Sequence, residues 1–241
     1  MSLLFPVLEQ GEAWSQYPEV IDLATGFYDS AISEPNEYVA PVDTHVLQTY
    51  PGLGLVVVRN LFTPQFVDEL TAYAEERGFK DYIADDRQVV GFINSRGMPI
   101  NVASMDFLSS INFNSNPRIN TMNTYFNKYD VTPKFKGLGE PHLDDSSDGP
   151  VVLLANGPGY IEISPEVIAD DSVFAVFGAF QRFDSDSGKG HNVKVTYSGG
   201  DTLFFDGRKR VHRGSADGDA IEPRISVVVF RSPKRRKQRL F

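Results

Sequence analysis

His142 and Asp144 lie two residues apart in the segment His142-Leu143-Asp144. Residues i and i+2 of a β-strand point to the same face, so an imidazole and a carboxylate at this spacing can reach one metal ion. A third ligand must come from elsewhere in the chain. His212, which follows the predicted strand Thr202–Phe205, is the candidate. The short motif alone is a common chance match, so the prediction depends on the residues around it.

Cysteine is absent from the chain, which excludes disulfides, iron–sulfur clusters and thiolate metal sites. Any bound metal must therefore be held by nitrogen and oxygen. Two histidines and one carboxylate on one face form the ligand set of non-haem Fe(II) sites, which leaves coordination positions open for other ligands. His142, Asp144 and His212 are the candidate residues for such a ligand set.

Arg224 and Ser226 share one face of a second predicted strand, which continues through the apolar run Val227–Phe230. A guanidinium group and a nearby hydroxyl form a good receptor for a carboxylate. An arginine at the mouth of so apolar a strand requires a partner, because an unpaired buried charge is costly. The pair therefore predicts a site for an acidic ligand.

The strand before His142 has an unusual polar face. Its odd positions are Asn123, Tyr125, Asn127 and Tyr129, which alternate with Thr124, Phe126 and Lys128. A polar and aromatic face is unusual for a core and typical of a wet barrel lumen.

Other elements follow from hydrophobic spacing and turn residues. Thr63 and Pro64 predict the start of a helix that Gly78 ends, and the spacing of Val20, Leu23, Ala24 and Phe27 predicts a shorter helix after Pro18. Short strands separated by turn clusters predict a mainly β sandwich or barrel. These strands are Gly54–Arg59, Gln88–Ile93, Ile119–Tyr129, Val151–Ala155, Tyr160–Ile163, Ser172–Phe180, Val193–Tyr197, Thr202–Phe205 and Ile225–Phe230.

Taken together, these motifs resemble those of the Fe(II)/2-oxoglutarate-dependent oxygenases. The order is His-x-Asp at His142 and Asp144, then the distal His212, then Arg224 with Ser226. The approach to His212, which begins at Gly200-Asp201, also resembles the Gly-Asp-apolar strand of that family. The motifs extend over residues 123–231.

The resemblance implies a double-stranded β-helix, a jelly-roll barrel that holds Fe(II) inside one mouth. His142, Asp144 and His212 would ligate the metal, and Arg224 with Ser226 would bind the distal carboxylate of 2-oxoglutarate, with O₂ as the second cosubstrate. Asn127-Lys-Tyr129 resembles the Asn-x-Tyr that contacts 2-oxoglutarate in AlkB-like members, with Asn123-Thr-Tyr125 as the alternative register.

The substrate is less well specified. The first hypothesis is hydroxylation of a small molecule or an amino-acid side chain. The second is AlkB-like nucleobase oxidation or dealkylation, favoured by the basic segment Arg208–Arg210 with Arg213 and opposed by the net charge of −9. A second arginine that AlkB-like members carry is replaced here by Phe230. The third hypothesis is a catalytically inactive jelly-roll binding module.

Length and composition indicate how many domains the chain can form. The chain has 241 residues, of which 41% are hydrophobic and 23% charged, which is enough apolar content for one core. We predict a single domain over 1–241, with an N-terminal extension over 1–52, a helix-supported jelly-roll core over 53–231 and a basic tail over 232–241. The absence of a spanning segment or a recognisable signal predicts a soluble cytoplasmic protein with no membrane partner.

Overall fold

The computed structural model describes residues 12–81, 88–93, 102–111, 121–129, 139–144, 149–169, 172–187, 189–216 and 224–232. The helices in these ranges are α1 (Pro18–Ala31), α2 (Pro64–Arg77), α3 (Ala103–Ser110) and α4 (Val173–Asp186). The strands are β1 (Val46–Tyr50), β2 (Leu55–Arg59), β3 (Lys80–Asp81), β4 (Gln88–Ile93), β5 (Thr121–Tyr129), β6 (Val151–Asn156), β7 (Gly159–Ile163), β8 (Val193–Tyr197), β9 (Thr202–Phe205), β10 (His212–Ala216) and β11 (Arg224–Ser232).

The described strands form two antiparallel sheets. The larger sheet has the order β1-β2-β9-β6-β11-β5-β4-β3, and the smaller has the order β10-β7-β8. Consecutive strands such as β6 and β7 lie in different sheets, so the chain alternates between the two layers. The described strands do not close into one hydrogen-bonded barrel, and the sheets instead face each other as a sandwich.

An apolar layer joins the two sheets. Val151 and Leu153 of β6 belong to the same buried cluster as Ile161 and Ile163 of β7 and Val195 of β8. Alternate residues of a strand face one layer, so each strand contributes every second side chain to this interior.

The N-terminal helices cover the other face of the larger sheet. Leu23 and Phe27 of α1 and Phe66 and Leu70 of α2 pack in one cluster with Phe204 of β9. The predicted start of α2 is confirmed, because the Thr63 hydroxyl accepts a hydrogen bond from the Phe66 amide at 3.4 Å and Pro64 occupies the first helical position. The helix ends at Gly78, whose φ of 81° is one that few other residues adopt. No helix in the described ranges is long and apolar enough to span a membrane.

Successive side chains of β11 alternate between the helix-covered face of the larger sheet and the space between the two sheets. Ile225, Val227 and Val229 point toward the helices and join the cluster that covers the outer face. Arg224 and Ser226 therefore point to the opposite face, into the space between the sheets. This alternation places a charged side chain in the interior of the protein.

One predicted strand is wrong. Of the predicted strand Ser172–Phe180, residues 173–180 form the start of helix α4, and Ser172 is the N-cap of that helix. The continuous run of valine and phenylalanine suggested a buried strand, but the Ser172 hydroxyl caps the helix by accepting a hydrogen bond from the Ala175 amide at 3.4 Å. Ala179 and Phe183, four residues apart, form the buried contact, whereas Phe174 is 90% exposed.

Four of the described helices and strands were not predicted. Strand β1 lies within the predicted N-terminal extension and pairs with β2, and the two-residue strand β3 pairs with β4. Helix α3 packs with the outer cluster, and His212 begins strand β10. All four are short and weakly periodic, so pairing and packing with distant residues determine their structure.

Replacing Phe183 by Ala tests the helical assignment of α4. Phe183 is 1% exposed, so the substitution should lower the free energy of unfolding by about 3–5 kcal/mol. Phe174→Ala is the matched control and should change it by less than about 0.5 kcal/mol, because that ring is in solvent. Urea denaturation of both variants measures the difference. A larger loss of unfolding free energy in Phe174→Ala than in Phe183→Ala would contradict the helical register.

Candidate metal centre and cosubstrate pocket

His142, Asp144 and His212 meet at one end of the smaller sheet. Each of the three residues offers one ligand atom, and these atoms lie within 4.8 Å of one another. Strand β10 supplies His212, and the segment 139–144 runs antiparallel beside it. The two histidines form a bridge in which His142 N donates to His212 O at 2.9 Å and His212 N donates to His142 O at 3.1 Å. The backbone pairing therefore sets the distance between the two imidazoles.

The side chains of the two histidines are oriented by backbone carbonyls. In each histidine Nδ1 faces a carbonyl two residues earlier, at 2.9 Å from Glu140 O for His142 and at 3.0 Å from Arg210 O for His212. A carbonyl only accepts, so Nδ1 carries the proton and Nε2 carries the lone pair. Nε2 of His212 lies 3.8 Å from Oδ1 of Asp144. This orientation, with carbonyl-bound Nδ1 atoms, is the one found in histidines that ligate metals.

Gly207 makes room for this cluster. A Cβ at position 207 would overlap both the Asp144 carboxylate and the His212 ring. The Gly207 carbonyl also accepts a hydrogen bond from the Asp144 amide at 3.1 Å. This bond holds Asp144 against the loop between β9 and β10. The role of Gly207 depends on the space around Asp144 and His212, so it was not predicted.

Arg224 lies inside the molecule, 1% exposed, between two tyrosine rings. Its guanidinium carbon lies 4.6 Å from the ring centroid of Tyr129 and 4.6 Å from that of Tyr197. Nη1 donates to the Ser215 carbonyl, while Nε and Nη2 have no hydrogen-bond partner among the described residues. A buried guanidinium that keeps two donor nitrogens without a partner is suited to an anionic ligand.

Cross-strand pairing groups the polar residues of β5 and β11. Arg224 pairs with Tyr129, and Ser226 pairs with Asn127, so the four side chains share one face. Asn127 and Tyr129 are buried, and the Ser226 hydroxyl has no partner in the described part of the chain. The backbones of Asn123 and Tyr125 continue the pairing, but their side chains lie outside the described residues.

Strand β8 supplies a residue that was not predicted. Tyr197 is buried and stacks on Arg224, and burial raises the pKa of its hydroxyl above the usual range although the charge of Arg224 acts in the opposite direction. The inward alternation of Val193, Val195 and Tyr197 was the available signal. Gly159 and Gly214 line the same pocket, because a Cβ at position 159 would lie 2.7 Å from Cδ of Arg224.

The basic rim required for nucleic-acid binding is not formed by the arginines around His212. Arg213 pairs with the buried Glu162 at 2.7 Å, and Arg208 pairs with Asp206 and Glu19 at 2.5 Å each. Arg210 is buried. Of the four residues predicted for the rim, Lys209 alone is exposed. At these four positions the exposed positive charge that the AlkB-like hypothesis requires is therefore reduced to Lys209, and the tail 233–241 lies outside the described residues.

Replacing Gly207 by Ala tests the cluster as a metal site. The added methyl would displace Asp144 or His212, so we expect affinity for Co(II) or Ni(II) to fall by about 10–100-fold. Isothermal titration calorimetry measures the affinity. Gly52→Ala is the control, because a Cβ there meets nothing within 4 Å. Equal affinities in the two variants would show that the metal does not bind between Asp144 and His212.

The similarity of the chain to known proteins lies in its structure and not in its sequence. No protein-family model and no curated protein sequence matches the chain. HygX from Streptomyces hygroscopicus, with nickel and 2-oxoglutarate bound, is similar over 76% of this chain and 84% of its own, at 11% identity and a TM-score of 0.53. A Trichoplax adhaerens prolyl hydroxylase in complex with a hypoxia-inducible factor peptide fragment is similar over 93% and 95%, at 12% identity and a TM-score of 0.51.

A third similar structure is SnoK, a non-haem α-ketoglutarate-dependent carbocyclase from nogalamycin biosynthesis. The similarity covers 76% of this chain and 81% of SnoK, at 16% identity and a TM-score of 0.51. The predicted resemblance is thus confirmed at the level of the fold: the chain has the double-stranded β-helix of the Fe(II)/2-oxoglutarate-dependent oxygenases.

Proposed function

We propose that the protein is an Fe(II)- and 2-oxoglutarate-dependent oxygenase. The observation that carries the proposal is the position of the Arg224 guanidinium on the same side of β10 as His212, with Nε and Nη2 lacking a hydrogen-bond partner among the described residues. Arg224 Nη2 lies 3.4 Å from where a Cβ of Gly214 would be, and Gly214 follows His212 by two residues on the same face. Two residues of a strand span about 7 Å. A metal ligand and a carboxylate receptor therefore lie within reach of one short dicarboxylate.

The residues present fit the proposed metal and cosubstrate. His142, Asp144 and His212 would hold Fe(II) through two nitrogens and one oxygen, the ligand set that leaves positions open for a chelating acid and O₂. Arg224 would bind the distal carboxylate of 2-oxoglutarate through Nε and Nη2, and the Ser226 hydroxyl would donate to the same group. Asn127 and Tyr129 border that pocket across the strand pair, with Tyr125 of the same strand kept as a predicted contact.

The chemistry at this site would be oxidation of a substrate coupled to decarboxylation of 2-oxoglutarate. When bound, iron and 2-oxoglutarate supply the activation of O₂, with succinate and CO₂ as products. The protein contributes position and exclusion of water. Tyr129 and Tyr197 enclose the guanidinium, which strengthens its interaction with a carboxylate by lowering the local dielectric constant.

We propose hydroxylation of a small molecule or an amino-acid side chain as the reaction. Asp144 supplies a carboxylate ligand, which favours hydroxylation or another oxidation over halogenation, since related halogenases carry a small residue there to admit chloride. The net charge of −9 and the carboxylate-paired Arg208 and Arg213 disfavour a polyanionic substrate.

Succinate formation tests the proposed function directly. The protein, supplied with Fe(II), 2-oxoglutarate, O₂ and a metabolite extract, should form succinate, and the Asp144→Ala variant should not. Mass spectrometry of the extract would identify a product 16 mass units heavier than its precursor for a hydroxylation. Binding of 2-oxoglutarate without succinate formation under any condition would indicate the inactive binding module instead.

Replacing Arg224 by Ala tests the cosubstrate pocket. Removing one partner of a buried charge pair costs about 3–5 kcal/mol, which corresponds to a KM for 2-oxoglutarate raised about 100-fold or more. Affinity for Fe(II) or Co(II) should change little, because Arg224 does not touch the metal ligands. Ser226→Ala removes one hydroxyl, so it should also raise the KM for 2-oxoglutarate, but by less than Arg224→Ala. Unchanged cosubstrate kinetics in Arg224→Ala would show that the carboxylate binds elsewhere.

A further inference from the structure

The loop between β9 and β10 connects the metal cluster to the N-terminal part of the chain. It covers residues 206–211 and contains Gly207, which contacts Asp144, and it leads directly into His212. The sequence of this loop is rich in basic residues, which suggested a nucleic-acid contact. In the structure, two of its arginines instead point back toward residues 12–31.

Arg208 connects the loop to helix α1. Its side chain holds Asp206 through Nε at 2.7 Å and Nη2 at 2.5 Å, and Nη2 also donates to Glu19 at 2.5 Å. Asp206 and Arg208 flank Gly207, so the fork closes the turn whose carbonyl binds the Asp144 amide. Burial acts to raise the pKa of Asp206, but the hydrogen bonds from Arg208 outweigh it and hold that pKa below the usual range.

Arg210 makes a second connection two residues later. Its Nη2 donates to the Tyr17 hydroxyl at 2.7 Å and to the Gly52 carbonyl at 2.9 Å, and its Nη1 donates to the carbonyls of Ser164 and Pro165. The carbonyl of Arg210 itself accepts the Nδ1 proton of His212 at 3.0 Å. The residue that orients the distal histidine is thus fixed by four hydrogen bonds from its own side chain.

Both connections end at the start of α1. Tyr17 is the residue before the helix, and Glu19 lies in its first turn. Between this turn and the loop lies a cavity of about 320 Å³, lined by residues 16–20, 206, 208–210 and Val167. The arginines cross this gap, so the two contacts hold the loop where direct apolar packing is incomplete.

We propose that Arg208 and Arg210 are positioning residues, which couple the N-terminal helix to the geometry of the metal centre through Gly207 and His212. The proposal rests on the function proposed above, since it requires a metal at His142, Asp144 and His212. Arg208 controls the Asp144 side of the cluster through the Gly207 turn. Arg210 controls the His212 side through its carbonyl. Removal of the contacts that the N-terminal helix makes with Arg208 and Arg210 should therefore lower the affinity for metal, although none of these residues touches the metal.

Co(II) binding to the full chain tests this coupling apart from catalysis. Arg208→Gln should weaken Co(II) binding about tenfold, the effect typical of residues that orient metal ligands. It should also change the Co(II) absorption bands, which report coordination geometry. The matched control is Arg182→Gln, because Arg182 makes a similar two-pronged pair with Glu166 at 2.7 and 2.6 Å on the surface. The control should bind Co(II) like the unaltered protein.

Two milder variants keep the test sound if Arg208→Gln folds poorly. Glu19→Gln removes the carboxylate that pairs with Arg208. Tyr17→Phe removes the hydroxyl that accepts a hydrogen bond from Arg210. Each should weaken Co(II) binding about two- to fivefold, the range expected for one exposed ion pair or hydrogen bond. Thermal unfolding of the metal-free variants identifies any general loss of stability.

The outcomes separate this proposal from the one on which it rests. Co(II) affinities of Arg208→Gln, Glu19→Gln and Tyr17→Phe within the error of the unaltered protein would overturn the coupling and leave the metal site intact. An equal loss of Co(II) affinity in Arg182→Gln would also overturn the coupling, because the loss would then follow from removal of any surface arginine pair. Failure of the unaltered protein to bind Co(II) would overturn both proposals.

Discussion

The antiparallel pairing of residues 139–144 with β10 is the constraint on which the rest of the site depends. Gly139 N donates to Gly214 O at 3.0 Å, His142 and His212 exchange two backbone hydrogen bonds, and Asp144 N reaches Gly207 O. These contacts join two segments about 70 residues apart in sequence. Because each is a backbone contact, the register sets where the imidazoles and the carboxylate point. A shift of the segment 139–144 by one residue would turn the side chains of His142 and Asp144 away from the face that carries His212.

Buried charge has two distinct uses in this acidic protein. Arg213 is neutralised by Glu162 and Arg59 by Asp201, and Arg210 is satisfied by carbonyls and a hydroxyl. Each of these arginines joins strands or loops that are distant in sequence. Arg224 differs, because aromatic rings and a single carbonyl leave two of its donor nitrogens without a partner in the described structure. That difference separates a structural arginine from one suited to a ligand.

The surroundings of the site depend on small residues as much as on polar ones. Gly207 leaves room for the Asp144 carboxylate and the His212 ring, and Gly159 and Gly214 leave room for Arg224 and Tyr129, because a Cβ at any of the three would press on those side chains. Helix α4 shows the opposite case. Its long apolar run suggested a strand, yet Phe174 lies in solvent while Phe183, further along, is buried. The hydrophobicity of a segment thus did not reveal which of its faces would be covered.

The sequence by itself determined the β-rich class, most strand positions, the capped helix α2 and the grouping of Arg224 with Ser226. Each depends on local spacing, periodicity or a cap that a few residues encode. Only the tertiary structure decided that residues 173–180 are helical, that Tyr197 stacks on Arg224 and that Gly207 borders Asp144. It also decided that Arg208 pairs with Asp206 and Glu19, and that Arg210 is buried against Tyr17 and backbone carbonyls. Contacts between residues far apart in the chain set these outcomes, and no local pattern records such contacts.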